Sequence, residues 1–283
     1  MRPSTGEPRR LEPSGRARAI EAVICDLDGV VYRGPTAVPH AVEVLTTVSV
    51  PVIYATNNAS RPAAAVAAQL RGLGLPVGPE DVVTSAEAGA AALAADRPGA
   101  RVLAVGGPGV HEALESAGLV AVGSATDVAA VLQGYGPAVS AADLAEASYA
   151  IAEGAWWVAT NTDATIPNER GIAPGNGSLV RAVEAAVGRG PDLVVGKPHP
   201  DLYLIAATRL GVAPERILAV GDRLDTDIEG ANRAGMVSAL VLTGVDDRRA
   251  AEKAPASRRP AIVMDDLRGL LGVVSTSEPG PLR

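Results

Sequence analysis

Ala22-Val23-Ile24-Cys25-Asp26-Leu27-Asp28-Gly29 is the stretch that decides how the chain is read. Four consecutive apolar residues fit a short strand buried on both faces, as in a parallel sheet. Two carboxylates two residues apart follow it directly. In extended backbone, residues i and i+2 point the same way, so Asp26 and Asp28 can share a site as a nucleophile and an acid/base beside one metal ion. On these residues alone, a strand closed by an Asp-Gly turn explains them equally well. The rest of the chain separates the two readings.

Moving outward, the same theme recurs: a short apolar run, a polar break, then an Ala-rich helical stretch. Val52–Ala55 leads into Thr56-Asn57-Asn58, and Val102–Val105 into Gly106-Gly107-Pro108-Gly109. Trp156–Ala159 leads into Thr160–Asp163, and Leu193–Val195 into Gly196-Lys197-Pro198. Ile217–Val220 leads into Gly221-Asp222, and Ala239–Leu242 into Thr243-Gly244. Continuous apolar strands alternating with helices predict an α/β fold of parallel sheets covered on both faces. Ligands in such sheets bind outside the carboxyl ends of the strands, and every polar break lies at such an end. Residues 85–190 are poorer in charge, richer in Ala and Gly, and include two strand–helix units. They are read as an α/β cap domain inserted into a discontinuous core of residues 19–84 and 191–274. Residues 1–18 read as a disordered tail and 275–283 as a loose one.

Composition narrows the classes. The 283 residues suffice for one large or two modest domains, and 47% of them are hydrophobic, with no Phe. A net charge of −7 argues against a nucleic-acid or membrane-surface partner, each of which calls for a basic face. The single cysteine, Cys25, reads as a small core residue and points to no oxidising compartment. No stretch approaches the ~20 apolar residues of a membrane span, and the polar start is unlike a secretory signal, so the expected location is the cytoplasm. The Gly-rich turn at Gly106 fails the dinucleotide pattern G-x-G-x-x-G, and no P-loop is present. His40, His111 and His199 are scattered and form no metal set.

Four strand ends offer one coherent chemistry. Phosphoryl transfer needs a carboxylate nucleophile, a hard cation on oxygen ligands, groups that bind the non-bridging phosphate oxygens, and an acid that protonates the leaving alcohol. Asp26, Asp28, Thr56, Lys197, Asp222 and Asp227 fit those parts. Only Lys197 and Lys253 among the 25 basic residues are lysines, and a compact ammonium suits a point contact with a phosphate and an aspartate. In Gly221-Asp222-Arg223-Leu224-Asp225-Thr226-Asp227, helix capping accounts for one acidic residue but not all three. Asp222 is expected to ligate the metal, with Asp227 a neighbouring carboxylate. Thr56-Asn57-Asn58 is expected to present a hydroxyl and backbone N–H groups to phosphate.

Together, Asp26-Leu27-Asp28-Gly29-Val30-Val31-Tyr32, Thr56-Asn57-Asn58, Gly196-Lys197-Pro198 and the Gly221–Asp227 loop resemble the haloacid dehalogenase superfamily, and within it the NagD and nitrophenylphosphatase branch. The resemblance spans about residues 20–272, with the motifs in the family's order. It implies a Rossmann-like doubly wound parallel-sheet core interrupted by a large α/β cap between the second and third motifs, and a phosphatase that hydrolyses small phosphorylated metabolites through an aspartyl-phosphate. Asp26 would be the nucleophile and Asp28 the general acid/base. Mg²⁺ would be held by the Asp26 carboxylate, the Asp28 carbonyl and Asp222, and the phosphate by Thr56, Asn57, Asn58 and Lys197. Cap residues of the stretches 161–168 and 175–178, among them Asn161, Asp163 and Ile166, would help choose the substrate. Branch substrates include glycerol phosphate, phosphoglycolate, sugar phosphates, pyridoxal phosphate and nucleoside monophosphates; the sparse charge of this cap favours a small polyol phosphate. The chain departs from many relatives at Val131-Leu132-Gln133-Gly134-Tyr135-Gly136. A homodimer is left open. The alternatives are a phosphomutase or phosphotransferase using the same Asp pair and, from another class, a receiver-like phospho-Asp module. Asp28, poised to hydrolyse the intermediate, and the large insertion speak against the receiver.

Overall fold

A computed structural model of the chain describes residues 19–168 and 170–274. The stretches read as tails, 1–18 and 275–283, lie outside them. The chain begins with β1 (Ala22–Cys25), a two-residue-stranded hairpin of β2 (Tyr32–Arg33) and β3 (Thr36–Ala37), and α1 (Ala41–Thr47). It continues with β4 (Val52–Thr56), α2 (Ala63–Gly72), β5 (Val82–Thr84) and α3 (Ser85–Asp96). Next come β6 (Arg101–Val105), α4 (Pro108–Ser116), β7 (Val120–Val122), β8 (Ala130–Gln133), α5 (Ala141–Ala152) and β9 (Trp156–Ala159). A hairpin of β10 (Thr165–Asn168) and β11 (Gly171–Pro174) precedes α6 (Asn176–Val187), β12 (Leu193–Val194) and α7 (Asp201–Leu210). The last elements are β13 (Ile217–Gly221), a π-turn at Leu224–Ile228, α8 (Glu229–Arg233), β14 (Val237–Val241), α9 (Arg248–Lys253), β15 (Ile262–Met264) and α10 (Gly269–Val274).

Two parallel sheets result. The first has six strands in the order β15-β14-β13-β1-β4-β5 and the second five in the order β12-β9-β8-β6-β7. In the first, Ile24 pairs with Ala219 on one side and Ile53 on the other. The apolar runs are buried on both faces, as their lack of alternation requires. Val23 and Cys25 pack with α1, α2 and α10, whereas Ile24 packs toward α3 and α7. That second layer is continuous through α3 with Val102, Leu132 and Val158 of the second sheet, so one apolar cluster joins the two. The far face of the second sheet is covered by α5 and α6.

The second sheet is richer than the two strand–helix units expected. Its short strands β7 and β8 carry too little apolar run to stand out. Leu193–Val194, expected with the core, pairs with Val158 and Ala159 of β9, so this sheet reaches Val194 rather than ending at 190. The turn at Gly106 is a strand-to-helix turn, and its glycines serve close packing. The Gly109 N–H donates to the Ser60 carbonyl at 3.1 Å, and a side chain at Gly109 would strike the backbone of Ala59 and Arg61. Among the described residues, no helix is long and apolar enough to cross a membrane.

Candidate active site

β1 lies between β13 and β4, where the strand order changes direction, the position at which α/β sheets open a crevice. The Asp26 N–H donates to the Val220 carbonyl at 2.9 Å, which fixes the first residue past β1 to the neighbouring strand. The chain then turns tightly. Val31 and Tyr32 N–H groups donate to the Leu27 carbonyl, and the Gly29 N–H to the Tyr32 carbonyl. Gly29 has φ +80°, and a side chain there would run into the Asp222 carboxylate, so both conformation and space require glycine. The Thr243 hydroxyl donates to the Gly29 carbonyl at 2.8 Å, tying this turn to the end of β14.

Lys197 is buried with its ammonium among three acceptors. It pairs with Asp26 Oδ1, with Asp227 Oδ1 at 2.7 Å and with the Ala55 carbonyl at 3.3 Å. Its three protons thus each have an acceptor. Asp227 is committed on both oxygens, since Oδ2 accepts the Arg223 N–H at 3.1 Å. The π-turn sets this up: the Asp227 and Ile228 N–H groups both donate to the Arg223 carbonyl, and the wide turn carries Asp227 back over Gly221. The Tyr203 hydroxyl, buried on α7, donates to the Asp227 carbonyl at 3.2 Å. Asp222 Oδ2 accepts the Val245 N–H at 2.8 Å, and Gly244 leaves room for that carboxylate, which a side chain there would strike.

Asp26, Asp222 and Asp227 each offer an oxygen within 4.8 Å of the others. Asp222 and Asp227 are buried and Asp26 is half-buried, and the three carboxyls share one ammonium. Burial pushes the Asp26 carboxyl well above the usual carboxylate range; Lys197 pulls it down, and Asp227 and Asp222 push it up further. Burial, then Asp227, raise Asp222 to about 7. Burial alone would lower Lys197, but Asp227 and Asp26 outweigh it and hold the ammonium well above the ordinary lysine value. Asp28 is exposed at the mouth of the crevice. Its carboxyl is nevertheless raised by the protein around it, against the pull of Lys197 and Arg61. The donor set, all oxygen and acidic, fits a hard divalent cation.

The other expected residues divide by what their side chains touch. The Thr56 hydroxyl accepts the Asn58 N–H at 3.1 Å, and Asn58 Oδ1 accepts both the N–H and the hydroxyl of Ser60, so the Asn58 side chain shapes the turn. The Asn57 side chain grips the Lys197 backbone and Asp163. Asn161 is buried, and its amide donates to the Asn57 carbonyl at 2.8 Å. The 175–178 stretch braces the same loop, with the Gly177 N–H donating to the Asp163 carbonyl and the Ser178 hydroxyl to the Ala164 carbonyl. Ile166 is half-buried on β10 opposite Ala173. The departure at Gln133 is a packing feature: its Oε1 accepts the buried Trp157 indole N–H at 3.0 Å. Sequence reasoning gave no role to Tyr203, Val245 or Arg61. Only the Thr243-Gly244 break after an apolar run marked that strand end.

The fold and the site define an α/β protein built on a carboxylate–ammonium cluster at a sheet crevice. A family model of haloacid dehalogenase-like hydrolases matches residues 23–120, and a second model of such hydrolases matches residues 194–270. The D-glycerol 3-phosphate phosphatase of Mycobacterium tuberculosis is 46% identical over 256 residues, covering 90% of this chain and 72% of that protein. A crystal structure of the glycerol phosphate phosphatase of that organism in complex with magnesium superposes with TM-score 0.85 at 46% identity, covering 89% of this chain and 76% of that one. The 4-nitrophenylphosphatase of Thermotoga maritima superposes with TM-score 0.83 at 32% identity, covering 90% and 97%. The chain belongs to the haloacid dehalogenase-like hydrolases, in the NagD-like branch.

Proposed function

We propose that the chain is a Mg²⁺-dependent phosphatase of small phosphomonoesters, with a short polyol phosphate such as glycerol phosphate the preferred substrate. The observation that carries this reading is the Lys197 ammonium set between Asp26 and Asp227, with Asp222 beside them, at the crevice of the first sheet. The sparse charge of the second sheet and the substrate named for the mycobacterial relative support the polyol class.

Asp26 is the nucleophile. One of its carboxylate oxygens attacks phosphorus, the P–O bond to the alcohol breaks, and an aspartyl-phosphate forms. Asp28, whose carboxyl the surrounding protein holds above its ordinary value, protonates the departing alkoxide and then takes a proton from the water that hydrolyses the acyl phosphate. Asp26, the Asp28 carbonyl and Asp222 would hold Mg²⁺, which neutralises charge so that an anionic carboxylate can approach a phosphate dianion. Lys197 binds a non-bridging oxygen as negative charge develops there, joined by the Thr56 hydroxyl and the backbone N–H groups of the turn after it. Asp227 keeps Lys197 charged and aimed. The second sheet and the β10–β11 hairpin act as the cap that keeps bulk water from the acyl phosphate and limits substrate size.

A panel of phosphomonoesters assayed with Mg²⁺ and with a chelator tests this. Metal-dependent release with the highest kcat/KM on glycerol phosphate and similar polyol phosphates is expected. Higher efficiency on nucleoside monophosphates would overturn the polyol assignment. Transfer of the phosphoryl group to a sugar hydroxyl in place of water would make the enzyme a mutase or transferase.

A further inference from the structure

Lys197 has an unusual seat in the chain. It lies three residues beyond β12, which belongs to the second sheet, yet its ammonium enters the site of the first. The loop that carries the ammonium is therefore the return connection between the sheets. Its backbone is held by one side chain. The Lys197 N–H donates to Asn57 Oδ1 at 2.8 Å, and Asn57 Nδ2 donates back to the Lys197 carbonyl at 3.0 Å. The Asn57 amide thus caps both polar groups of that peptide segment, as a neighbouring strand would. A side chain at Gly196 would strike the Thr160 carbonyl and crowd Asn57 Oδ1, so this close approach needs glycine.

Asn57 is itself gripped from the second-sheet side. Its remaining Nδ2 proton goes to Asp163 Oδ2 at 3.1 Å, and its carbonyl accepts the Asn161 amide at 2.8 Å and the Ser85 hydroxyl at 2.6 Å. Asp163 is fixed in turn: its N–H donates to Asn161 Oδ1 at 3.1 Å and its carbonyl accepts the Gly177 N–H at 2.8 Å. A continuous set of hydrogen bonds runs from the start of α6 through Asp163 and Asn57 to the backbone of the lysine.

From this geometry we infer that Asp163 is a positioning residue, which holds Lys197 in register through Asn57, and not a residue that selects the substrate. This rests on the phosphatase reading only for its consequence in rate. Docking of the second sheet and placement of the ammonium are then one event: with Asp163 seated, the Asn57 amide cannot rotate away from Lys197, and without it that amide has a free donor and a looser hold. What the Asn57 amide requires at this place is an acceptor, not a charge, and the carboxylate sits there at the expense of its own solvation.

The test compares the full-length wild type with Asp163→Ala and Asp163→Asn. Hydrogen exchange at the Lys197 amide is measured together with kcat and KM on a small aryl phosphate and on glycerol phosphate. Asp163→Ala is expected to speed exchange at Lys197 and to lower kcat about 10- to 100-fold on both substrates, with KM and melting temperature little changed. Asp163→Asn retains an amide oxygen as acceptor and is expected to stay within about threefold of wild type. Exchange at Lys197 unchanged in Asp163→Ala would overturn the inference. So would an Asp163→Asn as slow as Asp163→Ala, which would show that the charge matters, or a loss confined to glycerol phosphate, which would make Asp163 a specificity residue. If the wild type releases no phosphate while Asp163→Ala still frees the Lys197 amide, the phosphatase reading falls and the clasp stands.

Discussion

At the scale of single residues, the site turns on how Lys197 is satisfied. Its three acceptors come from three separate strand ends: Asp26, Asp227 and the Ala55 carbonyl. A compact ammonium meets that arrangement, whereas a planar guanidinium does not. Lys197→Arg keeps the charge but is expected to lower kcat about tenfold or more; steady-state kinetics at saturating Mg²⁺ check this, and a near-normal rate would show that only charge matters. The proposed reaction gives Asp28 the proton and Asp26 the phosphorus. Asp28→Asn is expected to form the aspartyl-phosphate slowly and to hold it, so that rapid acid quench and intact-mass measurement find an added phosphoryl group. Wild-type turnover in that variant would remove Asp28 from the acid/base role.

At the scale of elements, the loops after β13 and β14 act as one unit around Asp222 and Asp227. Gly244 lies against the Asp222 carboxylate, and the next N–H, of Val245, holds it. Gly244→Ala is expected to raise the Mg²⁺ concentration for half-maximal activity by about tenfold, as for disturbed neighbours of a metal ligand, measured by Mg²⁺ titration of the rate. Tyr203→Phe removes one buried hydrogen bond to the π-turn, and an unfolding free energy lower by about 1 kcal/mol is expected from denaturant melts. These same elements show what could be read from sequence. Buried strands such as Ala22–Cys25 and Ile217–Gly221 were legible because parallel sheets demand unbroken apolar runs, and the clustering of Asp26, Lys197 and Asp222 because each directly follows or closely trails one. β5 and β7 went unmarked because three residues carry no period, and Leu193–Val195 was legible as a run but not as a strand of the second sheet, since a run does not say which strand it pairs with. The hold of Asn57 on Lys197 was illegible for another reason: 140 residues separate them, and no local pattern records a contact that only the closed fold makes.

At the scale of the whole molecule, the cluster of carboxylates couples stability to pH and to metal. Asp26 and Asp222 have pKa values raised by burial and by their acidic neighbours, Asp222 to about 7. A carboxyl whose folded-state pKa exceeds its unfolded value binds its proton more tightly when folded. Its stabilising contribution is full at acid pH and is lost as pH rises through the folded-state value. Without metal, the melting temperature is therefore expected to fall between about pH 5 and pH 8. A divalent cation that binds the ionised carboxylates reverses the penalty, so the rise in melting temperature on adding Mg²⁺ is expected to be larger at pH 8 than at pH 5. Thermal melts at both pH values, with Mg²⁺ and with a chelator, check the sign; an equal shift at both would show that these carboxyls do not titrate in that range.

The central claim is that Asp26 attacks phosphorus in a metal-dependent hydrolysis. The most direct measurement is phosphate release from an aryl phosphate by wild type and Asp26→Asn side by side, each with Mg²⁺ and with a chelator. Attack by Asp26 predicts release that requires Mg²⁺ in the wild type and falls by at least about 10³-fold in Asp26→Asn, with the melting curve still cooperative. Release by Asp26→Asn within about tenfold of wild type, or release indifferent to the chelator, would contradict it.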